Sequence, residues 1–96
     1  MTVAKTALVR RRVFYSGRVQ GVGFRYTTRS LASGFAIAGY VRNLADGRVE
    51  LVIEGESAEV AACLRTIQSE LGHYIRQIDD QPISGGDTLT GFEIRY

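Results

Sequence analysis

The chain has 96 residues, 45% hydrophobic and 23% charged, a length and balance that support one hydrophobic core and exclude a disordered chain. With 12 Lys and Arg against 10 Asp and Glu, the formal net charge of +2 falls short of the basic stripe of a nucleic-acid binder. One cysteine (Cys63) and one histidine (His73) exclude a disulfide framework and a thiolate or His-rich metal cluster, and no stretch approaches the roughly 18 apolar residues of a membrane span.

Residues 1–7 are expected to be a loose tail, and Met1–Leu8 is too short and mixed for a signal peptide. Arg10-Arg11-Arg12 is not followed by an apolar region, so it does not read as an export signal and a cytoplasmic location is expected. Leu8–Ser16 predicts a strand, with Val9, Val13 and Tyr15 on one face and Arg10, Arg12 and Phe14 on the other. Gly17–Gly23 is a loop. Phe24–Ser33 predicts a helix on the spacing of Phe24, Thr28, Leu31 and Phe35, with Gly34 as a left-handed C-cap. Ile37–Asn43 and Arg48–Glu54 predict two strands joined by a hairpin turn at Asp46-Gly47. Ser57 is expected to cap a second helix with the stripe Val60, Cys63, Leu64, Ile67 and Leu71, ended by Gly72. Tyr74–Asp80 predicts a fourth strand and Phe92–Tyr96 a short terminal one.

This order is the α+β, ferredoxin-like split βαβ pattern: βαββαβ plus a short C-terminal strand, in one domain over residues 1–96. Two helices would cover one face of an antiparallel sheet, and the face carrying Arg10, Arg12, Phe14, Glu50 and Glu54 would meet water. The fold alone assigns no activity.

The chemistry is concentrated in Gly17-Arg18-Val19-Gln20-Gly21-Val22-Gly23-Phe24-Arg25, which joins a strand to a helix N-terminus. Successive N–H groups there can converge on an anion, and the positive end of the helix dipole adds to their pull. The segment is neither a Walker loop nor a dinucleotide fingerprint. Arg25 in the first helical turn is unfavourable to the dipole unless an anion compensates it, and spacing alone leaves it open between phosphate ligand and solvated surface residue. Asn43 before a turn is equally open between a functional role and a bond to its own backbone. Arg10, Arg12 and Arg18 read either as a positive rim that draws anions or as solubilising residues. Cys63 reads as a small core residue.

Gly17-x-Val19-Gln20-Gly21-Val22-x-Phe24-Arg25 resembles the first acylphosphatase signature. Gly39-Tyr40-Val41-Arg42-Asn43, then Gly47-x-Val49 and Gly55, resembles the second, and Phe92–Tyr96 is similar to the family's usual ending. The resemblance implies hydrolysis of small acyl phosphates to carboxylate and phosphate, without metal or other cofactor. It implies that Arg25 binds the phosphate group, that the backbone of Gln20, Gly21, Val22, Gly23 and Phe24 surrounds its oxygens, and that Asn43 orients the attacking water. Such chemistry needs positioning and charge stabilisation rather than a strong base. Three departures stand out: Tyr15 replaces an aliphatic residue, Gly23 occupies a variable position where it is expected to loosen the loop, and Gly72-His73-Tyr74-Ile75 differs from the small, proline-containing sequence expected there. The alternative is a non-catalytic acyl phosphate or anion-binding module of the same fold. An RNA-binding version ranks last because Glu50 and Glu54 would repel a phosphate backbone. No nucleic-acid or membrane partner is expected, and the chain is expected to be a monomer.

Overall fold

A computed structural model describes residues 8–96, so the expectation of a tail over residues 1–7 lies outside the described residues. The chain order is β1 (Leu8–Gly17), α1 (Phe24–Ala32), β2 (Ile37–Asn43), β3 (Val49–Glu56), α2 (Ser57–Leu71), a 3₁₀ turn (Gly72–Tyr74), β4 (Ile75–Pro82) and β5 (Phe92–Arg95). The sheet order is β4-β1-β3-β2-β5. The first four strands pair antiparallel, whereas β5 pairs parallel with β2. The architecture is the expected ferredoxin-like α+β fold, with one parallel pair at its edge.

Alternation along each strand decides which face is covered. Val13 and Tyr15 of β1, Val41 of β2 and Val49, Leu51 and Ile53 of β3 pack against Phe24 and Ala32 of α1 and Val60, Cys63, Ile67 and Leu71 of α2. The buried Tyr15 ring lies 5.3 Å from that of Phe24, so the aromatic departure from the family pattern packs beneath the start of α1. Burial there pushes the Tyr15 phenol well above its ordinary pKa.

Three local expectations are corrected. Gly34 is not left-handed. Instead α1 ends by tightening, with Ser33 N–H donating to Arg29 O and Gly34 N–H to Leu31 O. Ser57 is the first helical residue rather than the cap: Glu56 precedes it in extended conformation, and no side-chain cap bond forms. The face opposite the helices is not simply wet, since Val52 is buried and Glu50 is only 5% exposed. Glu50 Oε1 accepts from Arg42 Nε at 2.6 Å, and Oε2 lies 3.5 Å from Arg12 Nε.

Gly39 requires its lack of a side chain. A Cβ at that position would lie 2.0 Å from the Val52 carbonyl oxygen, so only glycine lets β2 approach β3 this closely. The β2–β3 turn closes through Leu44 N–H to Arg48 O at 2.8 Å, and Asp46 Oδ1 accepts from Arg48 N–H at 3.1 Å. That N–H is the largest cause holding the Asp46 carboxyl below its ordinary pKa.

Candidate active site

The segment from Arg18 to Gly23 leaves β1 at Gly17 and is held at three points. Arg18 N–H donates to Tyr74 O at 2.9 Å, Val19 is fully buried in the core, and Gln20 reaches across to the β2–β3 turn. There Gln20 Nε2 donates to both Leu44 O (2.8 Å) and Arg48 O (2.9 Å). The Gln20 side chain is therefore a tie between two loops. Val22 packs against the core rather than facing outward.

Gly21 and Gly23 have φ of 78° and 77°, whereas among the described residues no other residue type has a positive φ. The backbone therefore alternates in sign of φ from Gln20 to Gly23, the pattern that turns successive N–H groups toward one concavity. The left-handed Gly23 is also the N-cap of α1, and its φ favours glycine at that position. No N–H of residues 19–26 donates a hydrogen bond among the described residues. The first turn of α1 contains no acidic residue. Loop and helix thus present a run of unsatisfied donors at the positive end of a helix dipole.

Part of this run borders a cavity of about 220 Å³ lined by Val19, Gly21, Gly23, Phe24, Arg25, Tyr26 and Asn43, whereas Gln20 and Val22 do not line it. The structure brings Arg25 and Asn43, which are 18 positions apart in sequence, to one cavity. Arg25 forms no ion pair among the described residues, and its guanidinium lies 4.8 Å from the centre of the Tyr96 ring. Asn43 stands at the end of β2, and its buried Oδ1 accepts no hydrogen bond among the described residues. A buried acceptor of this kind is costly unless a donor is supplied. Arg10 and Arg12 do not rim this cavity; they lie on the other side of the sheet.

Two aromatic residues at the site were not singled out from sequence. Tyr26 lines the cavity at 56% exposure, and its hydroxyl lies 3.4 Å from that of the 88% exposed Tyr96. Their hydrogen bond is the main cause raising the Tyr96 phenol above its ordinary pKa. The only signal for Tyr26 is its place next to Arg25 in the first helical turn, and for Tyr96 its place in the Phe92–Tyr96 segment. Among the described residues no group of three His, Cys, Asp and Glu is placed to hold a metal ion, and no helix is long and apolar enough to cross a membrane.

The model of the acylphosphatase family matches residues 11–94. The chain is 45% identical over 87 residues to an acylphosphatase of Rubrobacter xylanophilus, covering 88% of this chain and 77% of the relative. It is also 45% identical over 87 residues to an acylphosphatase of a Synechococcus species, covering 91% and 93%. Among solved structures it is similar to the acylphosphatase from Bacillus subtilis, with a TM-score of 0.81 and 29% identity over 94% of this chain and all of that one.

Proposed function

The chain belongs to the acylphosphatase family, which supports acyl phosphate hydrolysis in general, and from that premise we propose how its own residues perform the reaction. The substrate is a small acyl phosphate. Its phosphoryl oxygens accept hydrogen bonds from the backbone N–H groups of Gln20 to Phe24, and Arg25 supplies a charged fork on the same group. Asn43 Oδ1 accepts a hydrogen bond from a water and turns its lone pair toward phosphorus. The water oxygen bonds to phosphorus as the bond from phosphorus to the acyl oxygen breaks. The carboxylate leaves with that electron pair, and the water's proton passes to a phosphoryl oxygen. No side chain acts as a base, and no metal is required.

The observation that supports this reading is one cavity lined by Arg25, Asn43 and the loop glycines Gly21 and Gly23. The electrostatic part is the larger one, because donors fixed on the phosphoryl oxygens before the reaction need no reorganisation as charge redistributes over that group in the transition state. Removing one such group costs about 10²–10³-fold in turnover.

The test is hydrolysis of benzoyl phosphate in EDTA by the wild type, Arg25→Ala and Asn43→Ala. Turnover in EDTA that falls about 10²-fold or more in each variant is expected. Wild-type rates in both variants would overturn the site assignment. Loss of turnover in EDTA, restored by a divalent cation, would overturn metal independence. Folded wild type that binds phosphate without hydrolysing the substrate would favour a binding module of the same fold.

A further inference from the structure

Since β4 and β5 occupy opposite edges of the sheet, residues 83–91 between them have to cross it. They cross the face that the helices leave open. The crossing is pinned at one end by Ile83 N–H to Arg10 O (2.9 Å) and at the other by Gly39 N–H to Gly91 O (2.9 Å). Arg10 fastens the middle, donating from Nη1 to Gly85 O and from Nη2 to Asp87 O, both at 2.9 Å, while its Nε donates to Glu54 at 3.0 Å. Beneath this strap lies a cavity of about 440 Å³, within the size range of small-molecule sites. Its floor is Arg12, Val52 and Tyr40, which the pairing register sets side by side across β1, β3 and β2; Leu89, Arg95 and the acidic Asp87 of the strap also line it.

The cations at this cavity are unequally satisfied. Arg10 is fully engaged. Arg12 is not: its Nε is buried and donates no hydrogen bond among the described residues, where the nearest carboxylate oxygen, of Glu50, is 3.5 Å away. Glu50 is already bonded to Arg42 at 2.6 Å. Arg95 sits directly opposite Arg42 in the parallel β2–β5 ladder, a like-charge pairing that is destabilising on its own. The Arg95 guanidinium lies over the Tyr40 ring at 3.9 Å, and its Nε bonds the exposed Glu93. Among the described residues Arg12, Arg42 and Arg95 therefore share only Glu50 and Glu93 as carboxylate partners.

We propose that the strapped cavity is a second ligand site, taking a small organic anion that carries a carboxylate or phosphate on a flat apolar body. Arg12 and Arg95 grip the oxyanion, for which a guanidinium fork is suited. Val52, Leu89 and Tyr40 cover the apolar body. The site shares no lining residue with the cavity of Arg25 and Asn43, so it stands or falls independently of the hydrolytic reading.

The test is amide chemical-shift mapping of the wild type with benzoate and, separately, phenyl phosphate. Saturable shifts at Tyr40, Val52 and Leu89 are expected, with dissociation constants on the order of 1 mM or tighter. A response to benzoate identifies the carboxylate as the recognised group, and a response to phenyl phosphate identifies the phosphate. Arg12→Gln and Arg95→Gln should each weaken binding about tenfold, with the remaining amides undisturbed. Arg12→Lys, which keeps the charge and loses the fork, should weaken it in the same direction and serves if either Gln variant does not fold. Absence of shifts at these amides with both probes, or unchanged affinity in the arginine variants, would overturn the proposal.

Discussion

Gln20 shows how much one uncharged side chain can contribute to a site built from backbone. Its two bonds to Leu44 O and Arg48 O tie the glycine loop to the turn that follows Asn43, so both halves of the candidate site are held in one register. Gln20→Ala is expected to lower kcat/KM for benzoyl phosphate about 5- to 10-fold and to cost about 1 kcal/mol of stability, read by steady-state kinetics and urea unfolding. Thr28 makes the opposite point. Its hydroxyl is fully buried in α1 without a partner, so Thr28→Val should raise stability by about 1 kcal/mol, seen as a melting temperature about 4–8 °C higher. Arg25 and Asn43 were legible from the family resemblance alone, since spacing left both open. The tie made by Gln20 was not legible, because its partners are backbone carbonyls 24 and 28 positions away and no residue type announces them.

At the scale of elements, glycine sets how closely strands approach. Gly39→Ala forces a Cβ into the Val52 carbonyl and should cost about 3 kcal/mol or more in chemical denaturation, with activity falling as the end of β2 that carries Asn43 shifts. Element types and order could be read from periodicity because each strand and helix buries one face. Their ends could not. The endings of α1 and the start of α2 depend on backbone bonds that a lone Gly34 or Ser57 does not specify. The sheet edges follow from topology rather than pattern: β4 is exposed throughout except at Ile75 and carries Arg76, Asp79, Asp80 and Pro82, while β5 is only four residues long. Short or charged edges disfavour strand addition. Light scattering is therefore expected to return a monomer.

For the whole molecule, the closed core couples stability to alkaline pH. Cys63 is buried on the sheet-facing side of α2, and burial followed by the Glu59 charge pushes its thiol up to about 11 from 9.0. The folded state thus keeps a proton that the unfolded state releases above pH 9. The stabilisation is fully present below pH 9 and is lost as pH rises toward 11. Tyr15 shifts in the same direction. Urea midpoints should fall from pH 9 to 11, and Cys63→Ala should flatten part of that fall. The covered face of β1 was anticipated from alternation, because apolar side chains at every second position have one place to go. The strapped face was not: Arg10, Arg12 and Glu50 look solvated in sequence, and only the separation of β4 and β5 to opposite edges brings residues 83–91 over them.

The unsatisfied donors of the glycine loop carry a consequence for hydrogen exchange. Amides that make no internal bond exchange close to the rate of an unstructured peptide, whereas those of β1, β2 and β3 wait for the sheet to open. Gly21 to Phe24 should therefore form a fast window between two slow strands. An anion seated on those amides would slow them together by the factor 1 + [L]/Kd. Affinity for phosphate would then be readable one amide at a time, in a protein that is turning nothing over.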